Sequence, residues 1–327
     1  MLKYWIVFAA ALISSVVLIF FLNKLSVKYK ILKLGNISLV GGLGIGLAFI
    51  FSLGLSLCLF ELAMVKVLVI AGTCLLMLFL GIIDDLKELS IVQKFLAQSF
   101  CAVVLISFGI RTDMMFLGFW GNAWVTYFWI IGLTNAFNLL DILDGLAAGI
   151  VLIVSSAFLL IGVGGANINV QIISLILCAS SLGFLIFNFP PARVYLGNSG
   201  SHFLGLLMAC LALIAQYAST DNVFALLSPL MILGLPIVDT LLLVIFRVIK
   251  NQIPFDKSKD HLALKINALG FSPIKTIIIM YLLCFVFASC GVVLTRVNNL
   301  SGAGIIIAAF LFSVILFFKM VKIQPNA

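Results

Sequence analysis

Charged side chains are scarce in this sequence, in which Asp, Glu, Lys and Arg together make up 9% of 327 residues. Soluble domains carry about 25% charged residues, so this composition excludes a soluble globular protein. Hydrophobic residues make up 64% of the chain. Apolar runs of about 20 residues, the length that crosses a bilayer, recur along its length. The runs are continuous and do not alternate, which favours helices over a barrel.

The fold class predicted from these runs is an all-α polytopic membrane protein with about eleven transmembrane helices. No room is left for a soluble domain, so residues 1–327 are expected to form a single integral membrane domain. The longest polar connection is 247–273. The predicted spans are 4–22, 37–60, 65–83, 92–109, 122–140, 147–165, 170–187, 202–219, 223–246, 274–296 and 302–318.

Lys and Arg are distributed unevenly between the predicted connections. With the N-terminus outside, 15 of the 19 Lys and Arg residues lie on the cytoplasmic side, as positively charged cytoplasmic loops require. Eleven spans then place the C-terminus in the cytoplasm. The net charge of +8 therefore reflects topology in a lipid bilayer and gives no support to a nucleic-acid partner. The predicted location is the inner (plasma) membrane.

Histidine and cysteine offer little metal chemistry. The chain has two His and seven Cys; the cysteines form no CxxC pair and all fall inside apolar runs, so they are expected to be small core residues. The first apolar run is too long for a signal peptide, and its basic cluster follows it, so a permanent helix is expected.

Only eleven residues are acidic, and eight of them lie at or near predicted cytoplasmic helix ends. Carboxylates close to the hydrocarbon are costly and usually functional. The sequence therefore predicts an active-site face on the cytoplasmic side. Its loops are 23–36, 84–91, 141–146, 188–201 and 247–273.

The stretch GIIDDLKELS (81–90) places Asp84 and Asp85 together at the end of the third span. Adjacent carboxylates there could bind a divalent metal or act as a base. The alternative is a solvated helix end, but an Asp at a helix C-terminus opposes the helix dipole, which favours a functional role.

The stretch NAFNLLDILDGL (135–146) carries Asn135, Asn138, Asp141 and Asp144 at every third position. On a helix each such step is about 300°, so the first three cover an arc of about 120° and would face one cavity. The alternative is polar contact between helices.

The stretch VYLGNSGSHFLG (194–205) is a small polar turn between two apolar runs. Gly197 and Gly200 allow tight turns, and the amides of 198–201 would begin the eighth span, where a helix N-terminus can bind an anion.

The last loop carries His261, with Lys257, Lys259 and Lys265 near it in the sequence. A lone His is often structural, but these lysines make a phosphate-binding environment. Acids, amides, a helix N-terminus and a basic loop on one face are the groups needed for metal-assisted phosphoryl transfer.

These stretches, in this order, resemble the polyprenyl-phosphate N-acetylhexosamine-1-phosphate transferases, which belong to glycosyltransferase family 4, in particular the undecaprenyl-phosphate GlcNAc-1-phosphate branch. The resemblance covers nearly the whole chain. DDLKELS, followed by Lys94 and Gln98, resembles the double-Asp motif of the family. NAFNLLDILDGLAAG resembles its Asn/Asp loop, PARVYLGNSGSHFLG its glycine turn, and PIVDT with DKSKDHLALKINALG its histidine loop.

The resemblance implies transfer of N-acetylhexosamine 1-phosphate from a UDP-sugar to undecaprenyl phosphate, with release of UMP and dependence on Mg²⁺, or alternatively Mn²⁺. Asp84 and Asp85 would form the reaction centre, and Asn138 and Asn198 would belong to the metal site. Tyr195 would stack on uracil and His261 would hold the diphosphate. The implied substrate-binding residues are Lys94, Asn135, Asp141, Asp144, Asn188, Tyr195 and His261.

The sequence departs from the family at three places. Asn198 stands where the family has the Asp that binds Mg²⁺, and an amide oxygen gives that hard cation no negative charge. Ile142 replaces a Gly in the Asn/Asp loop, and Ala263 and Leu264 stand where further His residues often occur. The last difference argues against the phospho-MurNAc-pentapeptide branch.

Two alternatives to an active transferase stay open. Asn198 is also compatible with a catalytically impaired homologue. Intramembrane acids such as Asp239 fit a transporter in principle, but the acids cluster on one face and the halves show no symmetry. The donor sugar, the glycan pathway and a homodimeric state are left open by the sequence.

Overall fold

The computed structural model describes residues 1–217, 223–251, 260–321 and 323. Five charged residues used in the sequence predictions lie outside this part of the chain. They are Asp221, Asp256, Lys257, Lys259 and Lys322. The chain divides into two compact units, Met1–Gln216 (unit 1) and Tyr217–Ala327 (unit 2).

Unit 1 is built from eight long helices joined by short connections. A two-stranded antiparallel hairpin, β1 (Lys33–Leu34) and β2 (Ile37–Ser38), follows the first helix. A 3₁₀ turn at Met115–Leu117 precedes the fifth. The helices are α1 (Leu2–Tyr29), α2 (Gly41–Leu59), α3 (Met64–Leu86), α4 (Ile91–Ser107), α5 (Gly118–Leu140), α6 (Leu146–Gly164), α7 (Ile168–Asn188) and α8 (Gly197–Ile214).

The described part of unit 2 contains two long helices and several shorter ones. A 3₁₀ turn at Val223–Leu227 leads into the first helix. The helices are α9 (Ser228–Ile232), α10 (Gly234–Ile249), α11 (Leu262–Ala268), α12 (Pro273–Leu294) and α13 (Asn299–Val321).

The all-α polytopic class is confirmed. In the described residues nine helices are long and apolar enough to cross a membrane, and a bent pair of helices can supply a tenth span. Helix α4 is apolar but only 17 residues long. The count of eleven spans and the side on which each terminus lies stay predictions.

The ninth predicted span, 223–246, is broken. Val223–Ile232 and Gly234–Ile249 meet at an angle of 70°. Pro236 lies in the first turn of α10 and has no N–H to donate to the carbonyl of Ile232, so a continuous helix would lose a hydrogen bond at this point. Gly234 packs at the bend, where an added Cβ would lie 2.6 Å from the Phe287 ring.

Several predicted loops are helical at their edges. Helix α1 continues to Tyr29 and α3 includes Asp84 and Asp85. Helix α8 begins at Gly197, five residues before the predicted start of the eighth span. The polar residues of the glycine turn therefore form the first turn of a helix, and the connection after α7 is correspondingly shorter than predicted.

The start of α8 is clamped against α2 by backbone contacts. The N–H groups of Gly41 and Gly42 donate to the carbonyls of Tyr195 and Leu196, at 3.0 and 2.9 Å. A Cβ on Gly42 would lie 2.1 Å from the backbone N of Gly200. The absence of a side chain at Gly42 therefore allows the close contact of α2 with α8, and only glycine fits there.

Candidate functional site

Asp84 ties α3 to α4. It is 4% exposed; its Oδ1 accepts a hydrogen bond from the N–H of Leu89 at 2.7 Å, and its Oδ2 lies 2.7 Å from Lys94 Nζ. The side chain of Ser90 and that of Gln93 cap α4 reciprocally, which fixes the helix that carries Lys94. Asp84 and Lys94, both predicted site residues, therefore form one ion pair.

Asp85 binds the first turn of α8. Its two carboxylate oxygens accept the N–H groups of Asn198 and Ser199, at 2.7 and 3.0 Å. Gly197 has φ +76°, and a Cβ there would lie 2.7 Å from an Asp85 oxygen. The α8 N-terminus is an anion site, as predicted, but the anion at these two amides is a carboxylate of the protein itself.

Asn198 and Asn138 contact each other directly. The Nδ2 of Asn138 donates to Asn198 Oδ1 at 3.0 Å and to Ser201 Oγ at 2.8 Å. One turn earlier on α5, Asn135 and Gln98 exchange two amide hydrogen bonds, of 2.8 and 3.2 Å. Asn138 therefore contacts α8, whereas Asn135 contacts α4.

Asn188 and Asp144 hold the loops around the site. Asn188, 4% exposed, accepts the N–H of Gly145 at 2.8 Å and donates to the carbonyl of Val194 at 2.9 Å. Asp144 accepts the N–H of Ala192 at 2.9 Å. Each side chain therefore joins the loop after α5 to the loop after α7.

Asp141 is half-buried and immediately follows α5. Among the described residues none hydrogen-bonds its side chain. Burial raises the pKa of Asp141 to about 7, and the negative charges of Asp85 and Asp144 add to the effect. A group with this pKa can take up or release a proton near neutral pH.

Tyr195 is half-buried and lies between β2 and α2. Its backbone N–H donates to Ser38 at 2.8 Å and its carbonyl accepts from Gly41 at 3.0 Å. Within the part of the chain that is described, its ring stacks on no other aromatic ring. The backbone of Tyr195 is fixed by these hydrogen bonds, and its ring has no aromatic partner in the described residues. This arrangement is compatible with the predicted stacking of the ring on a base.

The predicted residues of unit 1 come together at one end of the unit, where α3, α5 and α7 end and α4, α6 and α8 begin. Asp85 contacts Asn198, Asn198 contacts Asn138, and Asp141 interacts electrostatically with Asp85. These four residues therefore lie together at one end of unit 1. Lys94, in the first turn of α4, and Asn188, the last residue of α7, lie at this same end of the unit.

Unit 2 contains a second group of titratable residues. His261 Nδ1 lies 3.2 Å from Asp239 Oδ2, and both residues are buried. Asp260 pairs with Lys250 at 2.7 Å and with Lys265 at 3.4 Å. Burial would raise the pKa of Asp260, but the two ammonium groups hold it below its ordinary value.

Lys265, in α11, is 1% exposed and its side chain contacts the C-terminal end of α13. Its Nζ donates to the carbonyls of Met320 and Ile323, at 3.1 and 2.8 Å, and lies 4.2 Å from the centre of the Phe246 ring. Burial lowers the pKa of Lys265, while the Asp260 carboxylate opposes that shift. The basic loop residue predicted to favour phosphate is thus a buried cap of α13.

Two features were missed by sequence reasoning. His202, in α8, is 3% exposed and neither ring nitrogen has a hydrogen-bond partner in the described residues; its electrostatic neighbours are Lys94 and Asp84. Asp239 was considered only as an intramembrane acid, yet it contacts His261. The sequence signal that could have pointed to both features is the scarcity of histidine, because each feature involves one of the two histidines in the chain.

The negative charges of the site in unit 1 suit a divalent cation, but its side chains do not supply a complete set of metal ligands. The negative charges of Asp85 and Asp144 repel that of Asp141, and a cation near Asn138 and Asn198 would relieve this repulsion. No three His, Cys, Asp or Glu side chains of the described residues are arranged to hold a metal. Mg²⁺ commonly keeps waters and is completed by substrate phosphates, so the donor set fits it.

Residues 67–216 match the family model of glycosyl transferase family 4. The chain is 36% identical over 227 residues to the probable undecaprenyl-phosphate N-acetylglucosaminyl 1-phosphate transferase of Bacillus subtilis, covering 67% of this chain and 63% of that protein. It is 31% identical over 242 residues to the decaprenyl-phosphate N-acetylglucosaminephosphotransferase of Mycolicibacterium smegmatis, covering 65% of this chain and 59% of that protein.

A third similar protein is the phospho-N-acetylmuramoyl-pentapeptide-transferase of Heliobacterium modesticaldum, 38% identical over 136 residues, which cover 38% of this chain and 42% of that protein. The chain thus spans less than two thirds of the length of each of these relatives. The family match includes every site residue of unit 1 from Asp84 to Asn198 and ends before His261.

Proposed function

Because the chain belongs to glycosyl transferase family 4, we propose that it transfers N-acetylhexosamine 1-phosphate, most simply GlcNAc 1-phosphate, from a UDP-sugar to a polyprenyl phosphate. The B. subtilis and M. smegmatis relatives are named for GlcNAc phosphotransfer to polyprenyl phosphates. The observation that carries the proposal is the contact of Asp85, Asn198 and Asn138 at one end of unit 1, inside the matched region.

In the proposed reaction an oxygen of the polyprenyl phosphate attacks the sugar-bound phosphorus of the donor. The new P–O bond forms as the bond between that phosphorus and the bridging oxygen breaks, so UMP leaves with the bridging oxygen. The lipid product carries a diphosphate joined to the sugar. A bound Mg²⁺ would supply positive charge to the phosphates; Asn138 and Asn198 would hold it beside the acids of the site.

The contacts of the protein support distinct roles for its residues. Asp84 keeps Lys94 in place by the 2.7 Å ion pair, and an ammonium group held there can bind a phosphate oxygen. Asp85 fixes the turn that presents Asn198. The free carboxylate of Asp141, with a pKa of about 7, is suited to take the proton of a phosphate monoester.

The reaction is proposed to occur at the cytoplasmic face of the plasma membrane, where nucleotide sugars are present. His261 enters as a contact of the donor diphosphate, Tyr195 as the ring that stacks on uracil, and Asn135 and Asn188 as neighbours of the nucleotide sugar. These roles follow from the family resemblance.

The test uses the full chain in detergent with undecaprenyl phosphate, Mg²⁺ and a panel of UDP-N-acetylhexosamines. We expect UMP release that requires both the lipid phosphate and the divalent cation. Asp84→Asn and Asp85→Asn should each lower turnover by about two orders of magnitude, the scale on which misplaced reacting groups slow a reaction. Near-wild-type turnover of both variants would remove their assignment.

An impaired homologue is the second candidate, and Asn198 is the observation that favours it. Its side-chain oxygen already accepts a hydrogen bond from Asn138 and carries no charge for a metal. Absence of UMP release with every donor, together with activity in Asn198→Asp, would establish this candidate. A transporter would release no UMP in either protein.

A further inference from the structure

Asp239 and His261 form a buried pair in unit 2. Asp239 is 2% exposed and His261 is 3% exposed. The Oδ2 of Asp239 lies 3.2 Å from His261 Nδ1, and its Oδ1 accepts the backbone N–H of Leu262 at 2.7 Å. Asp239 comes from α10, whereas His261 and Leu262 begin α11, so the carboxylate joins two elements that are separate in the sequence.

The pairing determines which ring nitrogen carries hydrogen. An ionised carboxylate can only accept hydrogen bonds, so the 3.2 Å contact requires a hydrogen on His261 Nδ1. The other ring nitrogen, Nε2, has no hydrogen-bond partner among the described residues. Nε2 is therefore the atom of this ring that remains available to a ligand.

We propose that Asp239 is the positioning residue of His261: it holds the hydrogen on Nδ1, fixes the ring, and leaves Nε2 to bind an anionic oxygen of the donor diphosphate. This inference rests on the proposed function for the identity of the ligand. When Nε2 donates to an anionic oxygen the ring carries two hydrogens and a positive charge, and Asp239 supplies the opposite charge beside it. Carboxylates behind histidines orient and charge the ring in this way in other sites.

The substitution Asp239→Asn separates orientation from packing because the two side chains have nearly the same shape. The amide has one acceptor, and the backbone N–H of Leu262 can only donate, so the amide oxygen stays with Leu262. The NH₂ group then faces His261 Nδ1, which must accept. The single hydrogen of the neutral ring moves to Nε2, and a second hydrogen on Nδ1 is opposed.

The direct test is ¹⁵N NMR of the full chain labelled at histidine, in detergent, over a pH series. The chain contains two histidines, so His202→Gln removes one signal set and assigns the other to His261. In the neutral ring of the wild type we expect a protonated Nδ1 and an unprotonated Nε2. The reverse pattern in the wild type would overturn the proposal, even if no Asp239 variant can be purified.

The matched control is Asp260→Asn, which removes a carboxylate next to His261 in the sequence that pairs with Lys250 and Lys265. Asp239→Asn should reverse the tautomer of His261, whereas Asp260→Asn should leave it unchanged. The KM for the UDP-sugar should rise by about tenfold to a hundredfold in Asp239→Asn, the scale of a lost supporting group, with kcat nearly unchanged. An unchanged KM beside a reversed tautomer would contradict the positioning role.

These readouts separate this inference from the proposed function. The tautomer is measured without substrate, so a protein with the expected tautomer and no UMP release would contradict the proposed function alone. A protein that releases UMP but has hydrogen on Nε2 in the neutral ring would contradict the role of Asp239 alone.

Discussion

Asn198 has two kinds of contact in unit 1. Its backbone N–H is held by Asp85 and its side-chain oxygen accepts from Asn138. The side chain of Asn198 can serve simply as the hydrogen-bond partner of Asn138, or it can serve as a neutral metal ligand. Only a change of charge at constant shape distinguishes the two roles.

Asn198→Asp should strengthen metal binding and destabilise the metal-free protein. The new carboxylate lies near Asp85, so their repulsion should lower the unfolding temperature without Mg²⁺. With Mg²⁺ the added charge should reduce the concentration for half-maximal activity by about tenfold, or about 1.4 kcal/mol. A Mg²⁺ titration of activity and of thermal unfolding measures both effects.

The control for this substitution is Asn167→Asp, which adds the same charge at the start of α7, where Asn167 accepts from the N–H of Val170. That end of α7 is opposite to the site, so its Mg²⁺ dependence should match the wild type. Superimposable Mg²⁺ curves for Asn198→Asp and the wild type would mean that Asn198 serves only as the hydrogen-bond partner of Asn138.

Asp141 should make stability depend on pH near neutrality. Its pKa is raised to about 7, so between about pH 4 and pH 7 the folded protein binds more protons at this group than the unfolded chain does. The stabilisation from that proton is complete below the unfolded pKa and is lost as the pH rises through 7.

The measurement is thermal unfolding of the metal-free protein from pH 5 to pH 8, compared with Asp141→Asn. The wild type should lose stability over this range more steeply than the variant, because the amide does not titrate. Equal slopes would show that Asp141 is ionised throughout. The difference between the two proteins isolates the contribution of Asp141, because every other titratable group is present in both.

Site residues with a repeated spacing were predictable, and those with tertiary partners were not. The spacing of three residues brought Asn138 and Asp141 correctly to one end of α5, because helical geometry is local. The contact of His261 with Asp239 joins positions 22 residues apart, and the burial of His202 depends on neighbouring helices. No local pattern encodes either fact.

At the scale of the element, α8 is fixed by backbone contact with α3 as well as with α2. A Cβ on Gly81 would lie 2.4 Å from the Cα of Ser199 and 2.7 Å from the carbonyl oxygen of Asn198. Both atoms belong to the backbone of the first turn of α8, so neither can rotate away. The position of Asn198 therefore depends on the absence of a side chain at residue 81.

Gly81→Ala should destabilise the protein by about 1–3 kcal/mol, the usual cost of overpacking, and should displace the turn that carries Asn198. Gly72→Ala is the matched control, since it lies on the same helix and nothing lies within 4 Å of its added Cβ. That control should be neutral or stabilising by up to about 1 kcal/mol. Thermal unfolding and UMP release report both effects; equal behaviour would contradict the close contact.

Helix boundaries were predicted well where a polar stretch separated two apolar runs, as between α5 and α6. The 70° break before α10 was not predicted, although Gly234 and Pro236 are visible in the sequence. Hydropathy does not register a missing N–H, because it scores the polarity of side chains and not the backbone hydrogen-bond donors. The early start of α8 was missed for the opposite reason: its polar first turn has the composition of a loop.

At the scale of the whole molecule, the family match and the contacts of unit 1 concern the same residues. The segment 67–216 includes the acids, the asparagines and the glycine turn. The side of the membrane on which they lie follows from the distribution of Lys and Arg and stays a prediction. It can be tested without any assay of catalysis.

Single cysteines at Glu61 and Lys87, at opposite ends of α3, should be labelled from opposite sides. Both positions are exposed, and the background carries Cys58→Ser and Cys290→Ser because the other five cysteines are buried. We expect Glu61→Cys to react with a membrane-impermeant maleimide in intact cells and Lys87→Cys to react only after permeabilisation. The reverse result would place the site outside.

The unequal burial of the helices has a consequence for how this sequence can drift over generations. In α8, 83% of the membrane-spanning window is buried, whereas in α13 the share is 6%. Most positions of α13 therefore require only an apolar side chain that is compatible with lipid, and many different residues meet this requirement. Nearly every position of α8 requires a side chain of a particular shape, because it packs against neighbouring helices. Differences among close descendants of this chain should accumulate in α13 long before they reach α8.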